Sequence, residues 1–266
     1  MRAYRIAYDG QPYYGFQRQP DVQTVEDTIL DALRALDVLD GEIPPGYAAA
    51  GRTDAGVSAR AQTVAFEAPD WLTPAALNSE LPADVRAWAS ADAPDDFHAT
   101  HDAASRSYTY HLHAPDADRN RARRGLDALA GEHDFHNLTP DETGTVRTLS
   151  TALERDGPFL VVELTAGGFA RQLVRRAVSV VAAVARGEAD RSRIEHVLSE
   201  QSLSGPAGVT PAPAVGLVLT DVVYPGLDFT VDEAAADSAR AVFDQQRVHH
   251  ATRARIADVL ADGTTR

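Results

Sequence analysis

The sequence predicts a mixed α/β fold built in two halves of similar layout. Three observations carry this. Segments with period-2 apolar alternation take turns with segments of helical spacing. The same element order recurs in residues 1–100 and 101–226, as in two related sandwiches that share one sheet or face each other. The length, 266 residues, suits one large domain or two modest ones, each able to bury a core. Residues 227–266 form a third part, a polar and charged helical tail.

In the first half, Tyr4, Ile6 and Tyr8 alternate with Arg5, Ala7 and Asp9, a strand pattern. Thr24 can cap a helix whose apolar positions, Val25, Ile29, Leu33 and Leu36, share one face. Pro44-Pro45-Gly46 breaks the chain before a strand–loop–strand unit around Asp54, whose second strand alternates Val64 and Phe66 with Thr63 and Glu67. A short helix at 74–78 and a strand at 85–89 complete this half. In the second half, Arg106, Tyr108, Tyr110 and Leu112 share one face of a strand, with Ser107, Thr109 and His111 on the other. An arginine-rich helix at 119–130, strands at 146–155 and 159–165, a long helix at 169–185, a shorter one at 190–198 and a last strand at 216–224 follow.

Composition narrows the function. The formal net charge is -14, and all 25 Lys+Arg positions are arginine. Taken alone, this acidity argues against a polyanionic partner. An acidic, lysine-free chain rich in Ala and Asp also fits adaptation to molar salt, where the Debye length falls to about 3 Å. Nucleic acid can then bind through short-range arginine contacts, stacking and shape. The absence of cysteine excludes disulfides, thiolate nucleophiles and iron–sulfur clusters. The longest apolar run, near 178–185, is too short to span a bilayer, and no signal-peptide pattern opens the chain. A soluble, cytoplasmic protein is expected.

The run Gly51-Arg52-Thr53-Asp54-Ala55-Gly56 places one carboxylate two residues from one guanidinium, between glycines that permit a tight turn. Asp54 is either a turn residue or a catalytic group presented to a bulky substrate. As a catalytic group it would be partly buried and kept charged by an arginine. The loop lacks the endings of phosphate-binding glycine motifs, so no nucleotide cofactor is expected. Gly167-Gly168 precedes Phe169-Ala170-Arg171-Gln172-Leu173-Val174-Arg175-Arg176, in which Arg171 and Arg175 stand four apart on one helix face, with Leu173, Val174 and Ala177 packing inward. These arginines form either a solvated face or an edge of the core that needs an anionic partner. Tyr108 is either strand packing or a platform for a flat base. Arg119, Arg121, Arg123 and Arg124 form either a phosphate contact or a surface balanced by Asp116 and Asp118. The histidines at 111, 113, 249 and 250 lack carboxylates at metal-ligand spacing, so no metal is expected. The tail face with Arg247, His250 and Arg253 reads as solvated, with RNA contact the lesser alternative.

Taken together, ordered motifs resemble the tRNA pseudouridine synthase A family. Gly51-Arg52-Thr53-Asp54-Ala55-Gly56-Val57 resembles its signature loop, and Tyr8-Asp9-Gly10 with Tyr13-Tyr14-Gly15-Phe16-Gln17-Arg18-Gln19 its N-terminal motif. Asn78 with Leu81-Pro82-Ala83-Asp84-Val85, then Asp95-Asp96-Phe97-His98-Ala99, Arg106-Ser107-Tyr108-Thr109-Tyr110 and the stretch from Phe169 to Arg175 follow in the family's order. The sequence departs at Ser58, Thr100 and Leu173, and the tail beyond Asp228 has no counterpart in the resemblance.

The resemblance implies two α/β domains with antiparallel-rich mixed sheets flanked by helices, an active-site cleft between them, and a homodimer, here from a halophilic archaeon. It implies isomerisation of uridine to pseudouridine at positions 38, 39 and 40 of the tRNA anticodon stem-loop, without cofactor or metal. Asp54 would be the catalytic aspartate, Arg52 would position substrate or phosphate, Tyr108 would stack on the uracil, and Arg175 would pair with Asp54. Arg171 is expected to be a further substrate contact. The rivals are the same reaction at other uridines, a non-catalytic tRNA-binding protein, and an Asp-dependent nucleoside or glycoside hydrolase. A retaining glycosidase needs a second carboxylate, and none is evident beside Asp54.

Overall fold

The computed structural model describes residues 1–263. Its centre is a ten-stranded, mostly antiparallel sheet, joined by six α-helices among the described residues. The strands are β1 (Arg2–Tyr8), β2 (Ala48–Ala49), β3 (Ser58–Phe66), β4 (Val85–Asp92), β5 (Ser105–His113), β6 (Gly131–Asp134), β7 (Val146–Asp156), β8 (Phe159–Ala166), β9 (Leu217–Val223) and β10 (Thr230–Val231). Their order across the sheet is β10-β4-β1-β3-β9-β5-β8-β7-β6, with β2 beside β3.

This order creates a seam. Strands from the first half (β4, β1, β3) lie on one side and strands from the second half (β5, β8, β7) on the other. The late strand β9 enters between β3 and β5. It pairs parallel with β3 only at Ser58↔Val218 and Ala59↔Leu219, and antiparallel with β5 from Ser105↔Val223 to Tyr110↔Leu217. The parallel contact begins immediately after the Asp54 loop, so the loop sits where the two halves of the sheet meet.

The helices follow local sequence rules. In α1 (Val25–Ala35) the Thr24 hydroxyl accepts from the Asp27 N–H, and Val25, Ile29 and Leu33 are buried. The short α2 (Pro74–Leu77) starts with proline behind a Thr73 cap. Asp118 caps α3 (Arg119–Leu129), which packs on α4 (Leu173–Arg186), β7 and α5 (Ser192–Val197). The C-terminal α6 (Glu233–Gly263) packs against β4 near its start.

Three sequence expectations change. The long helix begins at Leu173, not 169, because Gln172 adopts φ 60°, a left-handed conformation that no α-helix continues through. Arg171 therefore lies in the turn before α4 and does not share a helix face with Arg175. The stretch at 61–66 of β3 is buried throughout, because both faces of the sheet are covered there. The strands β6 and β10 are new: one is a polar four-residue edge and the other spans two residues, too short to show alternation.

Candidate active site

The Asp54 loop is pinned from several directions. Asp54 is the first residue of a turn closed by the Val57 N–H on the Asp54 carbonyl at 3.1 Å. Gly56, third in that turn, has φ 77°, where a side chain would be strained. Gly51 is outside that region, so its conformational freedom is not what the loop uses. Its carbonyl accepts from Gln62 Nε2 at 2.8 Å. Phe16 N–H donates to the Thr53 carbonyl at 3.1 Å and Gly56 N–H to the Tyr13 carbonyl at 3.2 Å. Gln11 Nε2 donates to the Gly56 carbonyl at 2.7 Å. A Cβ at Gly10 would stand 2.1 Å from the Val57 carbonyl oxygen, so the N-terminal segment lies against the loop only because residue 10 has no side chain.

Asp54 is thus both a turn residue and a presented one. Its Oδ2 accepts from Arg175 Nη1 at 2.9 Å. The Asp54 side chain is 32% exposed and that of Arg175 15%, so the pair is half-sheltered, the carboxylate more exposed than the guanidinium. Oδ1 takes no hydrogen bond among the described residues. Arg175 Nε donates to the Ala212 carbonyl at 2.7 Å, and the Ala212 N–H returns to the Arg175 carbonyl at 3.1 Å. One guanidinium therefore joins the first-half loop, the first turns of α4 and the segment leading into β9. Arg176, beside it, binds the Val209 carbonyl and the Gln172 side chain. The latter contact holds the left-handed residue that delays the helix.

Tyr108 is buried on β5 and meets Phe169 edge to face, with ring centroids 5.2 Å apart and planes at 88°. Burial pushes its phenol up to about 12, with Arg106 opposing and the charge of Asp54 adding to the shift. Its hydroxyl takes no hydrogen bond among the described residues. Arg52 is exposed and its side chain forms no ion pair or hydrogen bond among the described residues. Arg171 is already engaged: its N–H and Nε bind the two oxygens of Asp141 at 2.8 and 2.6 Å. Those contacts, the backbone one first, hold the Asp141 carboxyl below its usual range.

The structure thus brings Asp54, Arg175 and Tyr108 together, leaves Arg52 free at the loop, and ties Arg171 to Asp141. Three of the four arginines of α3 have partners: Arg123 with Asp127 at 2.9 Å, Arg121 with Asp118 at 4.0 Å, and Arg119 with the Leu153 carbonyl on β7.

Three residues were not singled out for roles by the sequence. Arg106, 8% exposed, donates to the carbonyls of Ala50, Thr100 and Gly167, clamping the start of the Asp54 loop to the segment that carries Phe169. Its place on the buried face beside Tyr108 was the available signal, since a buried guanidinium must be fully partnered. Tyr8 bonds the Thr53 hydroxyl at 2.8 Å, next to Asp54, and burial raises its phenol. Phe169 was visible only as part of a motif.

A family profile described as tRNA pseudouridine synthase matches residues 126–225, which include Arg175 but not the Asp54 loop. The tRNA pseudouridine synthase A of Haloarcula marismortui is 63% identical over 99% of this chain and 100% of its own length. That of Natronomonas pharaonis is 61% identical over 98% of this chain and 99% of its own. That of Archaeoglobus fulgidus is 34% identical, covering 94% of this chain and 93% of its own. The Haloarcula match takes in the C-terminal helix, so the tail does have a counterpart, contrary to the sequence reading. The most similar of these relatives come from halophilic archaea, in keeping with the acidic, lysine-free composition. On identity and coverage of this extent, the chain belongs to the tRNA pseudouridine synthase A family.

Proposed function

We propose that this protein isomerises uridine to pseudouridine in tRNA, at positions 38, 39 and 40 of the anticodon stem-loop, with Asp54 as the catalytic group. The observation that carries this reading is the Asp54–Arg175 pair at the seam of the sheet, one carboxylate oxygen held at 2.9 Å and the other open. The reaction breaks the N1–C1′ bond, turns the uracil and joins C5 to C1′. C5 gives up its hydrogen and N1 gains one, so no electrons are exchanged with a cofactor. A carboxylate serves such a path by attack at C1′, by removing a ribose proton to give a glycal, or by adding to uracil C6. All three use the same open oxygen.

Arg175 fixes that oxygen in place. In this reading the half-sheltered pair serves to position the carboxylate. A uridine drawn from a helix loses stacking worth a few kcal/mol. Stacking on the Tyr108 ring returns about 1–3 kcal/mol. Arg52, free at the loop, is assigned to a phosphate. Arg171, held by Asp141 yet 64% exposed, is assigned to a weaker contact at the rim. The working form is a cytoplasmic homodimer of chains each divided at 1–100, 101–226 and 227–266.

The test is incubation with an unmodified tRNA transcript in high KCl, followed by pseudouridine mapping with carbodiimide-stop sequencing. Stops at 38–40 support the proposal. Stops confined to other uridines keep the chemistry and move the target. No stops, with tRNA bound, leave a binding protein without catalysis.

A further inference from the structure

A cavity of about 470 Å³ lies between the sheet and α6, bounded by neither Asp54, Arg175 nor Tyr108. Gln11, Ser58 and Arg60 line it from the sheet side, and Phe243, Arg247 and His250 from the helix. It adjoins the active-site loop: Gln11 donates to the Gly56 carbonyl at 2.7 Å, and Ser58 follows two residues after Gly56. Arg60 donates through Nε to the Thr220 carbonyl at 3.0 Å, and its terminal nitrogens form no hydrogen bond or ion pair among the described residues.

The helix above the cavity breaks the composition of the chain. The net charge is -14, yet residues 245–257 carry Arg247, Arg253, Arg255, His249 and His250 and no acidic side chain. Arg247 and His250 line the cavity, and Arg253 follows three residues further along the helix. Arg247 meets Asp244 at 3.2 Å in an exposed pair, while Arg253 has no ion pair among the described residues. From Arg247 to Asp262 every residue is exposed. The helix is tied down near its start, through Ala235 and Ala239, and its basic part stands clear.

We propose that this groove, with Arg60 on one wall and Arg247 and His250 on the other, and with Arg253 continuing the cationic strip along α6, binds the phosphodiester backbone of the RNA substrate outside the reacting nucleotide. The inference rests on the proposed tRNA activity. Charge complementarity selects the occupant: a cationic strip on an otherwise acidic surface fits a polyanion, and its position beside the Asp54 loop places that polyanion next to the target uridine. The lining holds one carboxylate, Asp9, which accepts from the Gln11 N–H at 3.0 Å, and against it the arginines and glutamines above apolar side chains fit a sugar–phosphate strand, contacted without base readout.

The test compares wild type with the double variant Arg247→Gln/Arg253→Gln, its Arg→Lys counterpart, and Arg60→Gln. Affinity for tRNA is measured across a KCl series over which circular dichroism stays unchanged. Loss of two phosphate contacts is expected to weaken binding about tenfold at the lowest salt and to flatten the slope of log affinity against log salt by about 1.5. Turnover at saturating tRNA is expected to stay within about twofold of wild type, and the Lys variant to keep the slope. An unchanged affinity and slope overturns the inference. So does a Lys variant as impaired as the Gln variant, or a change in sedimentation coefficient, which would mean that a second copy of the chain occupies the face. Wild-type protein that fails to modify tRNA sinks the proposed activity. Wild-type protein that modifies it beside an unaffected Gln variant sinks only this inference.

Discussion

The Asp54 loop and the far part of α6 are opposite solutions to holding charge. The loop carries one carboxylate and fixes it with backbone bonds from Phe16 and Tyr13, side chains from Gln11 and Gln62, and the guanidinium of Arg175 from the other half of the chain. The helix carries several cations and holds them by little beyond its own backbone. Bond-making needs a group placed to within a fraction of an ångström, and that precision comes from rigid elements converging at a seam. Grip on a charged polymer tolerates slack, because phosphates recur along the strand.

Breaking the rigid region should have the larger effects. Asp54→Ala is expected to remove pseudouridine formation entirely while tRNA affinity and the circular dichroism spectrum stay as in wild type. Full turnover in that variant would turn the loop into mere structure. Arg175→Ala frees Oδ2, releases the Ala212 carbonyl and is expected to lower kcat about 10²-fold. Arg175→Lys should recover part of that, since an ammonium restores charge but cannot reach both partners. A rate within threefold of wild type for the alanine variant would show that the pair does not orient the carboxylate. Tyr108→Ala is expected to raise KM about tenfold through loss of base stacking, whereas Tyr108→Phe keeps the ring and should leave KM near wild type. Equal kinetics in the two variants would remove Tyr108 from base docking.

How far the sequence carries this comparison depends on the kind of signal. Thr24 with Val25, Ile29 and Leu33 announces α1, because a cap and a stripe are local features. Asp54 between two glycines announces its own turn for the same reason. The meeting of Asp54 with Arg175 joins residues 121 apart in sequence, and no local pattern encodes it. It was accessible only through family resemblance. The late start of α4 was hidden because it depends on Gln172 in a left-handed conformation, held by Arg176. The role of Arg106 was only partly legible: its place on the buried face beside Tyr108 signalled a partnered guanidinium, but not which three carbonyls surround it. In α6, the cation spacing was legible, but the cavity beneath it required β1, β3 and β9 to be in place.

Smaller effects sharpen the contrast. Burial raises the phenols of Tyr108 and Tyr224, each to about 12. A raised folded value means stability that is complete below about pH 10 and lost as pH climbs through 12, because the unfolded chain releases those protons first. Thermal melts between pH 9 and about pH 12 should therefore show a falling Tm with a concurrent rise of phenolate absorbance. A Tm that is level to the top of that range would contradict the burial assigned to these rings. Removing a side chain from the exposed outer stripe of α6, as in Val259→Ala, should shift stability by no more than about 0.5 kcal/mol in denaturant titration. A larger loss would mean that this part of the helix is packed against something in solution.

The most direct measurement is single-turnover assay of Asp54→Asn with tRNA in saturating complex. Asparagine keeps the size and turn geometry of the side chain and deletes only its charge. With binding verified in the same tubes, the expected yield at positions 38–40 is nil. Pseudouridine accumulating there at a measurable rate would mean that the reacting group lies elsewhere in the molecule.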